Sequence, residues 1–105
     1  MALVRVCGVD ELAQTGMAAK YLMAEGIEVL VARDSSGKLH AINGTCPHED
    51  YPLVEGSFDG TVVTCAAHGW SIDVTTGMGV NPSSCSVDYY PVRVEDDQVW
   101  VDLET

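Results

Sequence analysis

Between Lys38 and Arg93 the chain contains no lysine and no arginine, yet Glu49, Asp50, Glu55, Asp59, Asp73 and Asp88 all fall in that interval. Five basic residues face sixteen acidic ones overall, for a formal net charge of −11 at pH 7. A surface so poor in cations has little with which to neutralise phosphate, which excludes nucleic acid and anionic membrane as partners. The acidity reads either as a solvated surface that keeps a small protein in solution or as a docking face for partners with basic patches, and the two are compatible. No apolar run approaches the ~20 residues that cross a bilayer. The start, Met1-Ala2-Leu3-Val4-Arg5-Val6-Cys7, lacks the basic leader of a secretory signal, so a cytoplasmic location is expected. In a reducing compartment Cys7, Cys46, Cys65 and Cys85 are better read as metal ligands or buried thiols than as two disulfides.

With 105 residues, 47 % of them hydrophobic, the chain is expected to form one domain over residues 1–105 and to act as a monomer. Short β-branched runs recur about every ten residues: 3–7, 18–23, 27–32, 38–42, 61–64, 92–95 and 98–103. Glu25-Gly26, Asp34 to Gly37 and Asp96-Asp97 supply the turns. Residues 9–13 hint at one helical turn with Asp10 as its cap. The pattern predicts an all-β fold, a small antiparallel sandwich or barrel. Residues 43–91 differ in character. They hold the long irregular stretches 44–47, 52–60, 69–79 and 81–82, marked by Gly and Pro, as functional loops are. No internal repeat or linker is evident.

Two motifs lie in those loops. Cys46-Pro47-His48 and Cys65-Ala66-Ala67-His68 form C-x-H and C-x-x-H, separated by sixteen residues. Thiolate is a soft anionic donor and imidazole a neutral one, so two of each can share a metal centre. If both sulfurs hold one iron and both nitrogens the other, negative charge is removed from one side. The reduction potential then rises to roughly −150 to +300 mV, above that of a four-cysteine ferredoxin. A zinc site could use the same donors, although structural zinc sites usually pair like with like. A catalytic Cys–His pair would leave the second copy of the arrangement unexplained.

The segment from Cys46 through Pro91 resembles the cluster-binding region of Rieske ferredoxins. The matching features are Cys46-Pro47-His48, Cys65-x-x-His68-Gly69-Trp70, Asp73 followed by Thr76-Gly77, Asn81-Pro82 and Tyr90-Pro91-Val92. The resemblance implies a β-sandwich base, a loop-rich cluster-binding subdomain over about residues 43–91, and one 2Fe–2S cluster of Rieske type. It implies that Cys46 and Cys65 hold the inner iron, and His48 and His68 the outer iron near the surface. High-potential Rieske proteins of bc-type complexes carry an extra cysteine in each loop and a serine two residues after the second ligand histidine. Here Tyr51, Ala67 and Trp70 stand at those places, with Ser71 one place later, so fewer donors reach the sulfurs and a lower potential is expected.

Thr76 to Cys85, and Cys46-Pro47-His48-Glu49, look most like ferredoxins serving soluble diiron monooxygenases of the toluene and alkene type. The expected role is therefore that of a single-electron carrier, not an enzyme, between an NADH-dependent flavoprotein reductase and a diiron monooxygenase that oxidises hydrocarbons. The alternatives are a ferredoxin of an aromatic-ring dioxygenase, a small Rieske subunit of a reductase such as nitrite reductase, and a zinc-stabilised interaction domain. Among the other residues, His40 reads as structural, Cys7 as a buried hydrophobe, Cys85 as a packing residue, Trp70 as packing over the loops, and Trp100 as core.

Overall fold

The computed structural model describes residues 3–13, 16–23, 25–46, 51–66, 69–81 and 85–103. Its central strand, β3 (Ile27–Arg33), is buried through four consecutive residues, Val29 to Ala32. Successive side chains of a strand point to opposite faces, so a strand buried at every position must lie between two cores. Val29 and Val31 join one cluster, while Leu30 and Ala32 join another.

Around β3 the described residues form three antiparallel sheets. The first runs β1 (Leu3–Gly8), β11 (Gln98–Asp102), β10 (Val92–Glu95), and the second β2 (Met17–Leu22), β3, β4 (Leu39–Asn43), β9 (Tyr89–Tyr90). The third runs β5 (Ser57–Phe58), β6 (Val62–Thr64), β7 (Ser71–Asp73), β8 (Gly79–Asn81). The first and second sheets enclose Val6, Cys7, Leu12, Leu22, Val29, Val31, Ala41, Val99 and Val101, which make the base core. The other face of the second sheet meets the third sheet through Met17, Leu30, Ala32, Ile42, Leu53, Val63, Ile72 and Val74. Among the described residues no helix is long and apolar enough to cross a membrane.

Register follows turn chemistry. Asp96 and Asp97 have φ of 53° and 61° and join Glu95 to its partner Gln98, a two-residue type I′ hairpin. Asp34 closes the β3–β4 turn, its Oδ1 accepting from the Ser36 and Lys38 amides at 2.9 and 3.0 Å.

Three expectations are corrected. Trp100 is not a core residue: Val99 and Val101 point into the base, and Trp100 lies on the outer face in register with Arg5 and Arg93. The hydrophobic alternation of β11 serves the smaller valines. Asp10 does not cap the helical turn. The 3₁₀ turn Val9–Leu12 begins after Gly8, whose amide donates to Glu11 Oε2 at 2.6 Å. The stretches read as irregular also contain β5, β7 and β8, strands of two or three residues that are too short to show a period.

Candidate metal centre

Each candidate cysteine opens a loop, and the two loops are built alike. Thr45 bridges Pro52 in antiparallel fashion, and the Cys46 amide donates to the Tyr51 carbonyl at 2.9 Å. Thr64 pairs with Ser71, and the Cys65 amide donates to the Trp70 carbonyl at 2.7 Å. All four positions of the second loop stand nineteen residues after those of the first. A loop spanning Cys46 to Tyr51 thus has the same closure as one spanning Cys65 to Trp70. The repeated Thr-Cys dipeptide was the available signal for this local repeat, and the sequence reading had found no repeat.

Both cysteines are turned inward, each 2 % exposed, within the same apolar cluster. Neither forms a disulfide. Tyr51, whose carbonyl closes the first loop, is 37 % exposed. His48 and His68, together with Pro47, Glu49, Asp50 and Ala67, lie outside the described residues. Two thiols on equivalent loops over a common apolar floor fit the cysteine half of a Rieske donor set. Soft anionic ligands on a dry face suit iron–sulfur chemistry.

The loops are locked together by a residue that sequence reasoning passed over. A Cβ at Gly56 would lie 1.9 Å from the Thr64 carbonyl oxygen, so only glycine lets the exit of the first loop pass the stem of the second. Leu53, fully buried, seals the same junction, and its amide donates to the Gly44 carbonyl at 2.8 Å.

Asp73 organises the return after the second loop. Its Oδ1 accepts from the Thr75 amide at 2.9 Å and the Thr75 hydroxyl at 2.6 Å, and its carbonyl accepts from the Gly77 amide at 2.8 Å. Gly77 has φ +81°, and a Cβ there would meet the Val87 carbonyl at 2.6 Å. This turn therefore needs glycine twice over, for its backbone angle and for space. Cys85, half-buried, and Trp70 both pack against the loop-side core. The Ser71 hydroxyl is engaged locally, 3.3 Å from Thr64 Oγ1 and 3.4 Å from the Gly69 carbonyl.

The remaining candidates are structural. His40 is buried with both ring nitrogens occupied, Nδ1 2.7 Å from Tyr89 Oη and Nε2 2.7 Å from Asp34 Oδ2. The Asp34 carboxyl is held well below the ordinary carboxylate range by the Ser36 side chain first and His40 second. Cys7 sits in the base core, its thiol pushed up to about 11 by burial and the nearby Glu11 carboxylate.

The family model for the Rieske [2Fe-2S] domain matches residues 2–91. The ferredoxin component of an alkene monooxygenase system from Xanthobacter autotrophicus is 36 % identical, covering 96 % of this chain and 81 % of that one. The ferredoxin component of a biphenyl 2,3-dioxygenase from Rhodococcus jostii is 33 % identical, over 99 % of this chain and 95 % of its own. In structure, the Sphingomonas yanoikuyae B1 ferredoxin superposes with a TM-score of 0.83 at 28 % identity, covering 96 % of this chain and 98 % of that one. The matched length, the all-β fold and the two cysteine loops agree: the chain belongs to the Rieske [2Fe–2S] family, in its small ferredoxin form, an electron carrier built around one such cluster rather than a catalyst.

Proposed function

We propose that this ferredoxin passes single electrons from an NADH-dependent flavoprotein reductase to a soluble diiron monooxygenase acting on hydrocarbons. The observation that carries the reading is the match to the alkene monooxygenase ferredoxin over 96 % of the chain. Cys46 and Cys65 are assigned to the inner iron, and His48 and His68 to the outer iron. A bound 2Fe–2S cluster supplies a one-electron couple. The chain's own residues hold it, exclude water and set its potential.

Burial of both thiol side chains in the loop-side core keeps the inner side dry. With Tyr51 and Trp70 in place of further sulfur-directed donors, and the Ser71 hydroxyl turned to Thr64 and Gly69, the potential belongs toward the lower end of the Rieske range. The exposed carboxylates Glu55, Asp59 and Asp88, with Glu49 and Asp50, would steer basic partners to the loops by long-range attraction. Residues 1–105 act as one domain, in the cytoplasm and as a monomer. The biphenyl dioxygenase relative, matched over nearly its whole length, favours a second reading in which the acceptor is a ring-hydroxylating dioxygenase.

Reconstitution with one reductase and each class of terminal oxygenase decides between them. NADH-dependent turnover with a diiron hydroxylase, and little with a dioxygenase, is expected. The reverse pattern would move the acceptor to the dioxygenases and leave the family untouched.

A further inference from the structure

The loop-side face of the second sheet is apolar for two rows and then changes character. β2 and β3 pair Met17 with Ala32, Ala19 with Leu30 and Tyr21 with Glu28, all on the face that carries the loops. The third row projects past the foot of the first cysteine loop. There Tyr21, Gly26, Glu28, Thr45 and Pro52 line an open groove of about 350 Å³. Thr45 and Pro52 are the bridged pair that closes the loop opened by Cys46, so the groove adjoins the metal-binding region without containing a ligand.

Its chemistry is unbalanced. Burial, and then the charge of Glu55, raise the Glu28 carboxyl above its ordinary range. A raised carboxyl favours folding only while it is protonated. Its contribution is lost as pH rises through the folded value, so ionised Glu28 detracts from stability at neutral pH. Among the described residues no lysine or arginine reaches it. Lys20, which pairs with Val29 and so points to the opposite face, places Nζ 3.4 Å from the Arg5 carbonyl. Tyr21, directly opposite Glu28, is 58 % exposed. A phenol ring beside a carboxylate with no lysine or arginine on it among the described residues is a receptor for a planar cation, which stacks on one and pairs with the other.

We propose that this groove receives an arginine side chain of the redox partner, its guanidinium stacked on Tyr21 and paired to Glu28 beside Glu55, so that the partner is registered against the first cysteine loop. The proposal deepens the electron-carrier reading and rests on it only for the partner's role.

The test begins without any partner. Holoprotein labelled with ¹⁵N is titrated with acetyl-arginine amide, acetyl-lysine amide and the uncharged analogue acetyl-citrulline amide. Saturable amide shifts at Tyr21, Gly26, Glu28 and Thr45 are expected with arginine, weaker ones with lysine and none with citrulline. Glu28→Gln should abolish them, whereas Glu95→Gln, on the exposed end of β10, should not. In turnover with reductase and oxygenase, Glu28→Gln should raise KM for the ferredoxin about 3- to 10-fold, the scale of a partly shielded ion pair, with the midpoint potential unmoved. Its melting temperature should be unchanged or higher, since a disfavoured charge is removed. Shifts that are diffuse, equal with citrulline or kept in Glu28→Gln would overturn the proposal, as would an unaltered KM. Failure of every oxygenase to accept electrons from the wild type would instead count against the functional reading, because the titration stands without it.

Discussion

The two cores on either side of β3 are made of different material. The base core draws on long strands with regular alternation, and Leu12, Val29, Val31, Val99 and Val101 are all fully buried in it. The loop-side core takes Met17, Leu30, Ala32 and Ile42 from the other face of the second sheet and completes itself with single residues from short pieces: Leu53 from a 3₁₀ turn, Val63 and Ile72 from three-residue strands, and Cys46 and Cys65 from loops. Long paired strands carry their own hydrogen bonds and can stand alone. Short ones cannot, because backbone ordering costs about 1–2 kcal/mol per residue and few contacts repay it within any one piece. The expectation that follows is a base that folds by itself and a loop region whose order depends on a bound cluster.

Removing the metal side of that arrangement should have the largest effect. Cys65→Ser should abolish iron and labile sulfide, and move the amide shifts of β5 to β8 toward random-coil values, while the β1–β11–β10 sheet keeps its amide shifts. Collapse of both regions together would show that the base does not fold independently. Gly56→Ala comes next. The added methyl group meets the Thr64 carbonyl and must push the two loops apart, for about 1–3 kcal/mol and a faster loss of visible absorbance on heating.

A matched pair then compares the cores directly. Leu12 and Leu30 are both fully buried, one on each side. Truncation of either to alanine should lower stability by about 2–5 kcal/mol in thermal or denaturant unfolding. Only Leu30→Ala should also shift the visible spectrum or shorten cluster lifetime. The smallest effect concerns acid. The Asp34 carboxyl is depressed below 3.8, so its stabilising contribution is complete above about pH 4 and is lost as pH falls through the folded value. Asp34→Asn should lower stability at neutral pH and flatten the acid limb, the two curves converging as pH falls below about 4.

Legibility in the sequence divides along the same line. The base was readable because Val99 and Val101, or Val29 to Ala32, show their period or their unbroken apolar run, and because Asp96-Asp97 is a turn signal in its own right. Even there, Trp100 was misplaced: the alternation of the last strand was read in the wrong phase, and Val99 and Val101 take the buried face. The cysteines were readable as chemistry, through donor type and spacing. Their common loop geometry was not, because single bonds such as Cys46 to Tyr51 and Cys65 to Trp70 close short loops that carry no hydrophobic period. Gly56 was invisible because its constraint comes from a distant segment. Its φ of −87° suits any residue, and what forbids a side chain is the carbonyl of Thr64 arriving from another strand.

The central claim is that one cluster is held by Cys46, Cys65, His48 and His68. The most direct measurement combines iron and acid-labile sulfide analysis with the nitrogen couplings in the electron paramagnetic resonance of reduced protein labelled with ¹⁵N-histidine. Two irons, two sulfides and two histidine nitrogens per chain are expected, with the nitrogen signal changed in His48→Cys and His68→Cys. Stoichiometric zinc without sulfide, or a cluster with no histidine coupling, would contradict the assignment.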